Sequence, residues 1–399
     1  MARPGAAVAC LERHLTNKAI STLTGATLLA LVLGSLHAFS VFIEPIEGRL
    51  GATRASVSLV YSLATLALVA GVFFTSRLLQ SLSPAVLALA ACISCTAGLG
   101  LAAGSSGLAG LYGGFGIVFG FANGIGYALS IERSGAAYPQ YKGVVTGIVT
   151  AAYCAGAVIF SKVFAAYATA ELYREGLLIL AVAINMSGFM AGLLLKDGPA
   201  PASAQASGET GLTAHTGRIV LLWSVYFLGV TSGLMALGHA AAVVSAVGGG
   251  IAQLAAGAMI ISIGSTVGSM ASGWLADRRG AGQVLTGSLL LVVASMILLA
   301  LAGVPGLVIA ALGLAGVAYG ALITIIPVAV SRSFQPEIAL KAFGRVFTAW
   351  GVAGLAGPWL AGLVFDADQR YFWAFVLAAV AAGVAAILSR FCVGSPQQT

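Results

Sequence analysis

The chain has 399 residues, 59% of them hydrophobic and only 8% charged, with a formal net charge of +7. A soluble domain carries roughly a quarter charged residues, so too little charge is present to cover a water-soluble globule of this size. The basic residues are scattered singly between apolar runs and form no phosphate-binding stripe, which argues against a nucleic-acid partner.

A helix crosses a bilayer with about 20 apolar residues, because every backbone N–H and C=O must be satisfied within the segment. Runs of that kind occupy 20–45, 55–78, 84–103, 107–131, 143–167 and 175–196. Six more occupy 217–243, 249–275, 281–302, 305–331, 341–365 and 371–391. The mixed residues before the first run, and its length, do not fit a cleavable signal. Between the sixth and seventh runs, Asp197-Gly198-Pro199 to Thr216 is rich in Pro, Ala, Ser and Gly and reads as a flexible linker.

These elements predict an all-α integral membrane protein with twelve transmembrane helices in two pseudo-symmetric six-helix bundles. Residues 1–196 form the first bundle, 197–216 a cytoplasmic linker and 217–399 the second. Six spans, a linker and six spans is the layout of a secondary transporter built from two related halves. The 53 glycines suit close helix approach in lipid.

With both termini in the cytoplasm, 14 of the 19 Lys and Arg residues fall on the inner side, Arg133 and Lys142 among them. That bias sets the orientation, and a bacterial inner membrane is the expected location. Within the third span, Cys92-Ile-Ser-Cys95 matches C-x-x-C but lies among Ala and Leu. It reads as a small packing pair, so no cofactor and no resident metal are expected.

The halves echo each other. Gly147-Ile-Val-Thr-Ala-Ala-Tyr153 in the fifth span is matched by Gly344-Arg-Val-Phe-Thr-Ala-Trp350 in the eleventh. The match places Tyr153 and Trp350 at equivalent depths near the midplane, where transporter sites lie.

After the eighth span comes Gly273-Trp-Leu-Ala-Asp277-Arg278-Arg279-Gly280. This resembles the G-x-L-a-D-R-x-G loop signature of the major facilitator superfamily, at its place in the second half. The resemblance implies a gating role for Gly273, Asp277, Arg278 and Gly280. An Asp at this surface can sit on the positive N-terminal end of a neighbouring helix, while the arginines pair with carboxylates or headgroups. In the first half the matching loop reads Gly71-Val-Phe-Phe-Thr75-Ser76-Arg77, with Thr75 in place of the Asp. The latch is therefore expected on one side, resting on Asp277 and the start of the fifth helix near Gly143.

Four further segments resemble the oxalate/formate antiporter-type branch, which is related to monocarboxylate transporters. They are His37-Ala-Phe-Ser-Val-Phe-Ile-Glu-Pro45, Gly120-Phe-Ala-Asn-Gly-Ile-Gly-Tyr127, Gly233-Leu-Met-Ala-Leu-Gly-His239, and the stretch from Phe347 to Pro358. The resemblance spans nearly the whole chain and implies exchange or proton-coupled transport of small organic anions. One departure matters. The oxalate-exchanging member carries basic residues in helices 8 and 11, and the matching positions here are Ser269 and Trp350. A dianion brought to the midplane without them would face a large desolvation penalty. The expectation is a monoanion, a proton-coupled acid or a neutral solute.

Polar groups inside the spans are few, and each is a candidate for substrate contact. His37 and His239 lie at similar depths in counterpart helices 1 and 7 and can take up a proton or attract a carboxylate. Each can equally hydrogen-bond a backbone carbonyl and tighten a helix contact. Tyr153, Tyr319 and Trp350 offer rings with one polar handle near the midplane. Asn123, Tyr127 and Ser269 lie on the inner halves of their helices and can line an exit path. Lys162, near the outer end of helix 5, either snorkels to headgroups or draws in an anion.

Three other readings stand beside the small-anion carrier. A neutral-solute carrier is one. Copper uptake is the second, since Met235 and His239 share a helical face and would suit Cu(I). A non-transporting membrane sensor is the third. No Walker loop, H-E-x-x-H or sizeable extramembrane domain points to an enzyme. The expected partners are a small-molecule substrate and the lipid bilayer, with the protein acting as a monomer.

Overall fold

A computed structural model describes residues 4–195, 215–368 and 370–392; most of the linker, residues 197–214, lies outside the described residues. Among the described residues there are twelve helices long and apolar enough to cross a membrane, and no strand. They are α1 (Asn17–Phe39), α2 (Ser56–Ser81), α3 (Pro84–Gly104), α4 (Leu108–Ala137), α5 (Pro139–Ala165) and α6 (Tyr173–Leu195). The second six are α7 (Thr216–Gly238), α8 (Ala252–Arg279), α9 (Ala281–Leu301), α10 (Pro305–Ser333), α11 (Pro336–Phe365) and α12 (Phe372–Cys392).

Local chemistry sets the ends. Thr53 accepts from the Ser56 N–H and Ser83 from the Val86 N–H, so α2 and α3 begin on side-chain caps. Pro84, Pro305 and Pro336 start their helices where a missing N–H costs nothing. Gly280 separates α8 from α9 at φ +89°, a backbone conformation that a side chain would strain.

Several boundaries differ from the sequence reading. Helix α4 runs on to Ala137, carrying Arg133 with it. That residue, counted above with the inner loops, is fully buried, 3.7 Å from Glu132. Helix α7 stops at Gly238, and His239 caps its C-terminus ahead of the short helix Ala240–Ala246. Cys92 and Cys95 are both buried, and the Cys95 thiol faces the Phe119 carbonyl.

Within each group of six, packing repeats. The pair α2–α4 is matched by α8–α10, and both are closed by glycines against a neighbour's backbone. A methyl group at Gly124 would lie 2.0 Å from the Leu68 carbonyl oxygen, and one at Gly320 would lie 1.9 Å from that of Ser265. Such contacts let helices associate in lipid, where hydrophobic burial gives no drive. The groups meet through α5–α8, α2–α11 and α5–α10. Large side chains such as Phe189, Leu193 and Ile387 point outward, as a lipid-facing surface requires.

Candidate functional site

Helix α1 does not continue as an α-helix to its end. Residues Gly34–Phe42 form a 3-10 segment, a tightening that often marks a functional hinge. Its start is pressed against α5, since a methyl group at Gly34 would lie 1.9 Å from the Tyr153 carbonyl oxygen. Where the winding changes, Asn123 of α4 donates its Nδ2–H to the Leu33 carbonyl at 2.7 Å. That bond fixes the amide, so Oδ1 faces Tyr153 and accepts its hydroxyl hydrogen at 2.9 Å.

The 3-10 segment turns His37 into the space between the two halves. Its Nδ1 meets the Tyr61 hydroxyl at 2.6 Å. Its ring stands edge-on to Tyr153 at 5.6 Å and to Trp350 at 6.3 Å between centroids. Thus the two residues paired by the internal repeat face the same histidine. Trp350 stacks on Phe347 at 5.6 Å and donates its Nε1–H to the Tyr319 hydroxyl at 3.0 Å. Tyr127 packs on Tyr153 and Phe347.

These residues line a cavity of about 480 Å³. Its floor is aromatic, and its walls run along α5 through Cys154 and Ser161 to Lys162 and Ala165, with Met259 of α8 across from them. At 1.5 Å per residue, Lys162 lies about 13 Å along the helix axis from Tyr153. Lys162 is exposed at this end. Among the described lining residues there is one lysine, one histidine and no carboxylate.

The opposite end is shut. Asp277 accepts from the Gly143 N–H at 2.9 Å through Oδ1 and from the Val144 N–H at 2.7 Å through Oδ2. Its carboxylate thus sits on the N-terminal turn of α5, where the helix dipole favours negative charge. Arg332 of α10 holds the same carboxylate at 2.5 Å and the Ala276 carbonyl at 2.9 Å. The crossing is tight enough that a methyl group at Gly273 would lie 2.2 Å from the Gly143 carbonyl oxygen. Arg278 lies over the Trp274 ring at 4.0 Å. At the counterpart crossing of α2 and α11, Gly344 faces Phe73, while the Thr75 hydroxyl donates to its own helix at Gly71. No carboxylate reaches across there from position 75.

Of the residues singled out above, His37, Tyr127, Tyr153, Tyr319 and Trp350 line the cavity together. Asn123 stands behind Tyr153, and Ser269 is buried with its hydroxyl on the Gly320 carbonyl. Neither lines the cavity. His239 is also apart. Its Nε2 meets the Pro358 carbonyl and its Nδ1 the Tyr371 hydroxyl, each at 3.0 Å. The carbonyl can only accept, so Nε2 carries a hydrogen, and in the neutral ring Nδ1 accepts from Tyr371. The copper pairing with Met235 would need that same lone pair.

Tyr61 and Tyr226 line the cavity without having been singled out. A phenol inside an apolar span needs a partner for its hydroxyl, but the span does not show which face meets the cavity.

Over 95% of this chain and 96% of its own, the proton:xylose symporter XylE bound to 6-bromo-6-deoxy-D-glucose superposes with a TM-score of 0.76 at 14% identity. The fold is the major facilitator fold. FucP, in its outward conformation, aligns at TM-score 0.71 and 16% identity over 95% of this chain and all of its own. The human organic anion transporter MFSD10 (TETRAN) aligns at 0.72 and 14% identity over 94% and 99%. The family model of the Major Facilitator Superfamily matches residues 222–398. Two sequence relatives carry the same assignment. The uncharacterized MFS-type transporter YhjX of Escherichia coli (strain K12) is 24% identical over 343 residues, 84% of this chain and 85% of its own. The uncharacterized MFS-type transporter YcxA of Bacillus subtilis (strain 168) is 24% identical over 299 residues, 68% of this chain and 70% of its own. Together these findings show the major facilitator fold and sequence similarity to transporters of that superfamily over much of the chain.

Proposed function

We propose that the protein is a secondary transporter that carries a small organic monoanion across the membrane by alternating access. The supporting observation is the cavity lining, which among the described residues holds one lysine, one histidine, a wall of aromatic rings and no carboxylate. A cation would find nothing to neutralise it there, and a dianion would find too little. The fold serves sugar symporters and an organic anion transporter alike, by the names of its structural neighbours, so the choice rests on the lining. Lys162 at the rim raises the local concentration of anions, and His37 is placed to share a proton with the cargo or with the empty carrier.

We assign residues 1–196 and 217–399 to the two rocking halves, and the Asp277 end to the cytoplasm, on the lysine and arginine bias. The structure then corresponds to an outward-facing state. Asp277, Arg278, Gly273 and Gly280 belong to the closed gate. The resemblance to the oxalate/formate antiporter-type branch supports the same cargo class. A neutral solute is the second reading, favoured by the uncharged floor.

The test is flux into proteoliposomes for monocarboxylates, dicarboxylates, sugars and amides, at pH 6 and pH 8. Monocarboxylate flux that weakens several-fold in His37→Ala supports the proposal. Flux confined to neutral solutes overturns it, and rapid dicarboxylate exchange overturns the monoanion limit.

A further inference from the structure

A carboxylate drawn past Lys162 reaches a floor about 13 Å deeper by helix rise, where no fixed cation lines the cavity among the described residues. We infer that two neutral phenols, Tyr226 of α7 and Tyr319 of α10, hold the carboxylate there by donating their O–H groups. This rests on the anion reading above and names the contact that reading lacks.

Hydrogen direction decides which phenols can donate. A phenol has one hydrogen to give, and partners on the protein decide where it goes. Tyr153 gives its hydrogen to Asn123 Oδ1, because the amide is oriented by the Leu33 carbonyl. Tyr61 is engaged with His37 Nδ1. Tyr319 differs, because its partner is the Trp350 indole N–H, a donor with nothing to accept. The Tyr319 oxygen therefore accepts from Trp350 and keeps its own hydrogen for another acceptor. Tyr226 goes further: the residue lines the cavity with its side chain 1% exposed, and its hydroxyl, itself buried, has no hydrogen-bond partner. Buried polar groups are almost always partnered, and an exception calls for an explanation.

The two phenols belong to one wall. Tyr226 faces the Phe347 ring at 6.4 Å between centroids, Phe347 stacks on Trp350, and Trp350 holds Tyr319. Hydrogen bonds to a carboxylate are charge-assisted and roughly twice as strong as neutral ones, and low local polarity strengthens them further. An amide or alcohol of the same shape gains much less. Two neutral donors thus select an anion without a cation that would trap it.

The experiment measures binding to purified wild type, Tyr226→Phe and Tyr319→Phe in nanodiscs. The probes are a series of monocarboxylates from acetate to benzoate, each beside its primary amide, with thermal midpoints taken on the apo proteins. Both variants are expected to weaken the best carboxylate by about tenfold or more while changing the amide little. The apo midpoint of Tyr226→Phe is expected to hold or rise, since the change removes an orphaned hydroxyl from a buried place. A purely structural tyrosine would instead lower the midpoint and weaken acid and amide together. An unchanged acid-to-amide ratio in Tyr226→Phe, with wild type binding acids, overturns the donor pair and leaves the anion reading standing. Wild type that binds no carboxylate overturns the anion reading, and the donor pair with it.

Discussion

Two side chains that looked alike in the sequence differ in what their neighbours leave free. His37 packs edge-on with Tyr153 and Trp350 inside the cavity, whereas His239 has both nitrogens engaged at the junction of α7 and α11. His239→Ala should therefore act on stability, by about 1–3 kcal/mol for the carbonyl and hydroxyl it leaves behind. The KM for the carboxylate should stay within about twofold. A denaturation midpoint and an uptake curve on the same preparation check this, and a large KM change with an unmoved midpoint would refute it. Asn123 makes the complementary case. Asn123→Leu strands the Leu33 carbonyl at the point where α1 tightens, and releases the Tyr153 hydroxyl. It should lower stability by a similar amount and also weaken binding, because Tyr153 then reorients; unchanged affinity would show that Tyr153 needs no support.

At the scale of elements, the Asp277 contact sets the balance between states. A carboxylate on a helix N-terminus in a partly buried setting contributes about 1–2 kcal/mol. A shift of that size alters a two-state ratio roughly 5- to 30-fold. Asp277→Asn keeps the shape and removes the charge, so the α5–α8 crossing should open more often. Labelling of Cys154 by a small thiol reagent applied from the Asp277 side should then rise several-fold; no change would mean that the Gly143–Gly273 packing closes this end alone. The sequence made the carboxylate and its helix partner legible because Asp277 sits in a motif whose mechanics require a helix terminus. Span number was legible for an equally physical reason, since apolar runs of membrane length have few alternatives. Boundaries were not, where helices outrun their apolar stretch: Arg133 continues α4 because it is buried against protein and not lipid. Tyr226 was invisible for the reverse reason. An apolar span with glycines all round does not announce which face meets the cavity, and only the packing shows that its hydroxyl was left without a partner.

For the whole molecule, the repeat carries a mechanical consequence. The halves touch through α5–α8 and α2–α11, which are counterpart pairs. The cavity is lined toward the Lys162 end by Ala165 of α5 and Met259 of α8. If the halves rock as rigid bodies about the aromatic floor, closing the Lys162 end must part the crossings at the other end. Spin labels report this directly. One pair at Ala165→Cys and Met259→Cys spans the mouth, and a second at Arg77→Cys and Lys341→Cys spans the α2–α11 crossing near Gly344 and Phe73. Adding a transported carboxylate should shorten the first distance and lengthen the second in the same population, by several Å each. Asp277→Asn should shift both the same way without any cargo, since it weakens the closed crossing. Movement at the mouth alone would instead indicate a local lid on a fixed frame, and would remove the repeat from the mechanism.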